Sequence, residues 1–321
     1  MSMTVNDSSQ NASQRANTPD APEAKTAALK LAKPHSQWYF VRRQLLRDKA
    51  AMFGGILLII ILLLTIFAPI LAPYDPVAQS ENSEDRLASP SATHLMGTDD
   101  LRRDIFSRIL YGGQTTLRVG IISVIGAVST GLVLGLLSGY FGGRLDDIIS
   151  RFLDTLMTLP GILLAIVIIA ILGTGLNNAM LAVAVSNMPT IARLVRGDTM
   201  VEKNKVYIEA SRAMGASHAH IMFIHILPNV IQSVIVIATL HIASAIQIAA
   251  GLSFLGLGAQ PPNPEWGAML NDGRDFMRSG QWWMTVFPGL AIFLTVIAIN
   301  LLGDGLRDAL DPRLRGQERS S

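Results

Sequence analysis

The sequence predicts an all-α polytopic membrane protein with about six transmembrane helices. Three observations predict it. Several uncharged stretches rich in Leu, Ile, Val, Ala and Gly reach about 20 residues, the length that crosses a hydrocarbon core. Half of the 321 residues are hydrophobic, a share that a soluble protein can have, but here they are clustered into those stretches. Lys and Arg gather in the N-terminal segment, in 193–212 and after Leu302, so positive charge alternates between connections. The net charge of +2 says little by itself. Cysteine is absent, which excludes disulfides, thiolate metal sites and a Cys nucleophile.

Each element follows from its composition. Residues 1–35, rich in Ser, Asn, Gln, Ala and Pro, cannot bury a core and are expected to form a disordered cytoplasmic tail. No short apolar stretch follows the first basic residues, so the tail is not read as a signal peptide. In 36–50, Trp38, Tyr39, Phe40, Leu45 and Leu46 alternate with Arg42, Arg43, Arg47 and Lys49. That is the pattern of an amphipathic helix in the headgroup layer, and equally of a basic flank to the first span. The first transmembrane helix is 51–72. An extracytoplasmic loop, 73–114, follows, in which Leu101–Tyr111 has the two faces of a short surface helix.

Residues 115–305 hold the core, with five further spans. Val119–Tyr140 is rich in Gly, Ala and Ser, which let helices approach closely in lipid. A short charged link, Gly142 to Asp154, leads to Leu156–Leu172. Ala179–Ile191 is short and reads as broken by Pro189. Ile226–Ala250 and Val286–Leu302 complete the set. Residues 251–284, with Pro261-Pro262-Asn263-Pro264 and three tryptophans, form a second long connection, and 306–321 is a charged cytoplasmic tail. Positive charge puts the N-terminal segment, 142–154, 193–212 and the tail on the cytoplasmic side, with 73–114 and 251–284 outside.

A polar island, Glu209 to Pro228, separates two apolar runs. Tyr207, Ala210, Ser211 and Met214 share one face of a short helix at i, i+3, i+4, i+7, with Glu209 and Arg212 off it. Gly215 can take the positive φ that ends a helix. Ser217 can cap a second short helix, and Pro228 suits the first turn of the next one. The arrangement fits a docking knob for a partner and also an ordinary inter-span loop.

No catalytic constellation emerges, and none is expected. The dipeptide Gly-Lys of a phosphate loop does not occur, nor does His-Glu-x-x-His. His218 and His220, at i and i+2, do not share a helix face and with His225 are read as interface residues, so no metal is expected. The spans are nearly free of charge. Asn187, His241, Ser244, Gln247 and Asn300 are the candidate translocation-path residues, since polar groups in a bilayer face a bundle interior or water. The alternative is that they tie helices together, at about 1 kcal/mol each. Without a buried Asp, Glu, Lys or Arg, a proton or sodium relay is disfavoured, and the driving energy must enter from elsewhere.

Glu209-Ala210-Ser211, three residues, Gly215 and then Leu227-Pro228 resembles the "EAA" loop of type I ABC importer permeases. Ser211 replaces the second Ala of that motif. His225-Ile226-Leu227-Pro228-Asn229 is similar to the ending used in the peptide and nickel branch. His94-Leu95-Met96-Gly97-Thr98-Asp99-Asp100-Leu101, with Arg103-Asp104 and Ser107-Arg108, resembles that branch's motif before the second span, with Arg102 where Gly is usual. Leu252 to Pro262, followed by Glu265-Trp266-Gly267, resembles its outer loop. Leu302 to Asp308 with Leu310-Asp311-Pro312-Arg313 resembles its C-terminal signature. Together these motifs cover residues 38–316.

The resemblance implies the type I ABC importer permease fold and the "C" permease subunit of a dipeptide, oligopeptide or glutathione importer. It implies partners: a homologous second permease, two cytoplasmic ATPase subunits that carry ATP and Mg, an extracytoplasmic solute-binding protein and the inner-membrane bilayer. No nucleic acid is expected, and no cofactor in this chain. The loop 193–225 becomes the coupling loop, with Glu209, Ala210, Ser211, Gly215, Ala216, Ser217 and Pro228 as its working residues. Gln260, Pro261, Pro262, Glu265 and Trp266 become candidate contacts for the binding protein. The same architecture carrying nickel chelates or another small solute stays open. A stand-alone secondary transporter or channel would need internal ionisable groups or an inverted repeat, which are not evident, and a membrane enzyme would need paired acid and base or metal ligands within the spans.

Overall fold

The computed structural model describes residues 43–310, all of its regular structure helical. The expected tail 1–35, residues 36–42 of the 36–50 segment and 311–321 lie outside the described residues. Residues 43–47 are helical, and Asp48 then caps α1 (Lys49–Ile66), its carboxylate accepting the amides of Ala50 and Ala51. A break at Phe67 leads to α2 (Ala68–Leu71), with Pro69 in its first turn.

α3 (Ile105–Phe141) corrects an expectation. The surface helix and the second span are one helix of 37 residues, capped by Asp104. At 1.5 Å per residue it is about 55 Å long, well beyond a hydrocarbon core of about 30 Å. Nothing breaks it, because Gly112 and Gly113 sit under the Trp266 ring rather than in a turn.

The expected charged link is a helix too. α4 (Gly143–Met157) buries Asp146, Ile149 and Leu153 and turns by 93° into α5 (Gly161–Leu172) at Thr158–Pro160. The third span thus begins later than expected. α6 (Leu176–Glu202) runs through Pro189 for a further 13 residues instead of breaking there. Proline forfeits a single backbone bond inside a helix, and α6 is held along its length by α3.

α7 (Val206–Ala213) is the first helix of the island. α8 (His218–His220), a π-helical turn (Ile221–Ile226) and α9 (Leu227–Phe254) form one continuous rod. Pro228 is the second residue of α9, in its first turn as expected, although the rod runs on unbroken from His218. It follows the wide π turn, in which the amide of Leu227 bonds to Met222. α10 (Trp266–Gly273) lies in the second long connection, and α11 (Trp283–Leu310) runs past the expected end of the sixth span.

Among the described residues four helices are long and apolar enough to cross a membrane, and a fifth span forms if α4 and α5 are one bent crossing. α6, the remaining expected span, is long enough, but its second half carries Arg193, Arg196, Asp198 and Glu202. Exposed Ile59, Leu63, Ile66, Ile125, Val133 and Phe293 make the outer faces lipid-like.

The core is the α3–α6–α9 contact, with α5 against α6, and α1 and α11 together on the other flank. Gly131, Gly135 and Gly139 make a stripe down α3. A Cβ on Gly135 would stand 2.6 Å from the Ala192 carbonyl, and one on Gly139 2.7 Å from that of Arg196. The small residues thus bring two backbones together, as expected for Val119–Tyr140.

Candidate functional site

The island is a helix, a tight turn and the start of the α9 rod. α7 ends in a Schellman turn. The amide of Ala216 bonds to Ser211 at 3.1 Å and that of Gly215 to Arg212 at 3.0 Å, with Gly215 at φ +85°. Ser217 Oγ accepts the amide of His220 at 3.3 Å, as a cap should.

The buried face of α7 is Ile208 and Ser211, which corrects the face read from periodicity. Tyr207, Ala210 and Met214 are exposed, Met214 at 82% and neighbouring Val206 at 80%. The reason is the rod behind α7. Ile208 joins Ile221, Ile226 and Val230 in a cluster with Leu153, Ile191 and Val195, so α7 is turned to fit that cluster. Glu209 and Arg212 are exposed, and neither side chain has a partner among the described residues. Ala216 is half-buried, while Gly215, Ser217 and Pro228 are exposed.

Polar contacts lock the island to the bundle, and the sequence reading missed them. Tyr207 donates to the buried Glu202 carboxylate, whose other oxygen is 2.6 Å from Lys205 Nζ. Asn229 Nδ2 donates to Tyr207 Oη at 3.2 Å. Burial, then the Glu202 carboxylate, pushes the Tyr207 hydroxyl up to about 12. Tyr140 Oη and His218 Nδ1 are 2.8 Å apart, and Lys203 Nζ donates to the Gly139 carbonyl at 2.7 Å. Arg196 binds Asp146 through Nε at 2.6 Å and Nη2 at 2.7 Å. The partners of Asn229, Arg196, Lys203 and His218 lie 22 to 78 residues away, so no local pattern announces those contacts. His220 and His225 meet edge to face at 5.3 Å while His218 turns to Tyr140, so the three histidines do not converge.

Of the path candidates, the structure joins two. His241 Nδ1 lies 3.0 Å from Asn187 Oδ1, between α9 and α6. Ser244 and Asn300 are half-buried and Gln247 is exposed, without side-chain hydrogen bonds among the described residues.

The opposite end is stapled by charge. His94 Nδ1 is 2.9 Å from Asp104 Oδ1, and Asp104 Oδ2 accepts both the amide and the hydroxyl of Ser107. Asp99 accepts Arg103 Nε at 2.6 Å. Arg103 and Arg108, both buried, lie 3.6 and 3.8 Å from Asp272 of α10. Burial pushes the Asp272 carboxyl above its usual range although both arginines pull it down. Gln260, Pro261 and Pro262 are exposed. Glu265 and Trp266 are each 2% exposed, so as surface contacts they are corrected. Glu265 caps α10 and accepts the Thr116 hydroxyl at 3.1 Å, while Trp266 Nε1 donates to the Ile109 carbonyl at 2.9 Å. A carboxylate with donors on three sides and an indole over two glycines are satisfied only inside.

The described residues form an apolar helical bundle with a self-contained knob at one end. The family model for the binding-protein-dependent transport system inner membrane component matches residues 131–316, and that for the N-terminal TM domain of oligopeptide transport permease C matches residues 36–90. The chain belongs to the first of these families and is an inner-membrane permease of the type I ABC importer fold.

It is 50% identical to the glutathione transport system permease protein GsiD of Pectobacterium atrosepticum, over 87% of this chain and 92% of that one. It is 47% identical to the dipeptide transport system permease protein DppC of Alkalihalophilus pseudofirmus, over 87% and 91%. Among solved structures, the inward-facing MetNI methionine ABC transporter aligns over 63% of this chain and 96% of its own, with a TM-score of 0.51 at 24% identity, a likeness of fold.

Proposed function

We propose that this chain is the permease subunit of an ATP-driven importer that moves short peptides, of dipeptide or glutathione type, across the inner membrane. One observation carries the reading: α7 buries Ile208 and Ser211 in the bundle core while Glu209, Met214 and Gly215 stay open. A knob fixed on its inner side and bare on its outer side receives force. In a binding-protein-dependent family that force comes from separate ATPase subunits, and this chain itself is not an enzyme. The island then faces the cytoplasm with both termini, and the Gln260–Asn263 ridge faces the binding protein. A homologous second permease completes the path. The peptide cargo is supported by the names of the relatives above.

Closure of the ATPases would push α7 and α8, and the ties from Tyr207, His218 and Lys203 would carry that motion to α3, α6 and α9. Two packed arrangements of the bundle then expose the path to opposite sides. The test is uptake of labelled dipeptide and glutathione by the complete importer in proteoliposomes. ATP-dependent uptake is expected, abolished by Glu209→Lys with the permease still in the membrane. Absence of uptake of either compound in the wild type, or full uptake with Glu209→Lys, overturns the proposal.

A further inference from the structure

Many hydroxyls in the helices are satisfied by their own backbone. The hydroxyls of Thr65, Ser129, Thr130, Ser186, Thr239 and Thr295 each donate to the carbonyl four residues back in their own helix. They are satisfied without a partner helix and demand nothing of their surroundings. Ser244 and Gln247, one and two turns beyond His241 on α9, do not do this, and neither side chain has a partner among the described residues. Hydrocarbon offers no hydrogen bonds, and leaving such groups in it costs several kcal/mol per group. This side of α9 faces water, solute or another chain.

His241 sits at the edge of that stripe in a defined chemical state. Asn187 Nδ2 donates to the Val183 carbonyl at 3.1 Å. A carbonyl can only accept, so the amide orientation is fixed, and Asn187 Oδ1 is the atom turned to His241. An amide oxygen can only accept as well, so His241 Nδ1, 3.0 Å away, carries the proton. In the neutral ring Nε2 is then an unprotonated acceptor, and it has no donor among the described residues. α6 thus dictates the tautomer that α9 displays.

We propose that His241, held in this tautomer by Asn187, accepts a hydrogen bond from an N–H of the peptide during its passage. The inference rests on the peptide reading above and names one of its recognition groups. A peptide is rich in N–H donors that lose water on entering the bundle. A fixed acceptor half-buried between two helices replaces one such bond without having to be ordered first. Ser244 and Gln247 continue the same stripe toward the far end of α9.

The experiment uses the complete importer in proteoliposomes, supplied with saturating dipeptide-loaded binding protein, and reads dipeptide imported per ATP hydrolysed. His241→Phe keeps the ring volume and removes the acceptor, and the ratio is expected to fall about fivefold while the ATPase rate holds. His241→Gln offers a carbonyl acceptor and an amide donor for Asn187, and most of the ratio should return. An unchanged ratio in His241→Phe overturns the inference. So does a parallel loss of complex yield and ATPase rate in both variants, which would make the histidine a packing or subunit-contact residue. A wild-type importer that moves no dipeptide or glutathione overturns the cargo reading itself, and the inference with it.

Discussion

The Tyr207 hydroxyl donates to Glu202 and receives a hydrogen bond from Asn229, so one phenol joins the end of α6, the start of α7 and the first turn of α9. Tyr207 looks outward on the island and yet is anchored at its tip. The contact fixes the island's angle to the two helices that carry the Asn187–His241 pair.

This contact gives the chain an alkaline limit. The Tyr207 proton is held up to about 12, against 10.0 for a free phenol. Below 10.0 the folded and unfolded chains both keep it, and the contribution is complete. Between 10.0 and about 12 the unfolded chain loses the proton first, so stability falls as pH rises through that interval. Thermal unfolding of the detergent-solubilised protein across it should show a steeper loss for the wild type than for Tyr207→Phe. Equal slopes would mean that the tyrosine is not held as described.

The glycine stripe makes a prediction with an internal control. Gly135→Ala places a Cβ against the backbone of α6, which cannot yield, and should destabilise by about 1–3 kcal/mol. Gly197→Ala, on α6 with open space around it, should stabilise by up to about 1 kcal/mol through helix propensity. The two melting temperatures should move in opposite directions from the wild type. A shift of the same sign would contradict the close α3–α6 approach.

Arg102 occupies the left-handed region at φ +63°, and its side chain has no partner among the described residues. A non-glycine residue there costs roughly 1–2 kcal/mol, against about 0.5–1 kcal/mol for the entropy that glycine adds to the unfolded chain. Arg102→Gly should therefore raise stability by about 0.5–1 kcal/mol, read as a higher melting temperature with uptake unchanged. A lower one would show that the side chain contributes a contact that offsets the strain.

Much of the bundle was legible from local pattern. Uncharged runs located α1, α3, α9 and α11, because the length of an apolar run reports directly on a hydrocarbon core. Gly215 and Ser217 were legible as turn and cap, since both functions belong to the residue itself. The helical nature of Gly143–Met157 was masked by its charge, which reads as loop until Asp146 is seen to meet Arg196 of another helix. The unbroken course of α6 through Pro189 was hidden for a related reason: a residue that disfavours a helix locally is overruled when flanking turns are packed.

The sequence by itself determined the membrane class, the position of the island and the family, because each is written in short-range pattern. Tertiary structure alone decided which face of α7 is bare, that Glu265 and Trp266 turn inward, and that Asn187 reaches His241. Those outcomes depend on how helices rotate about one another. Rotation is set where backbones meet, at the Gly131–Gly135–Gly139 stripe, and where remote polar groups find each other. No local stretch of sequence contains both sides of such a contact.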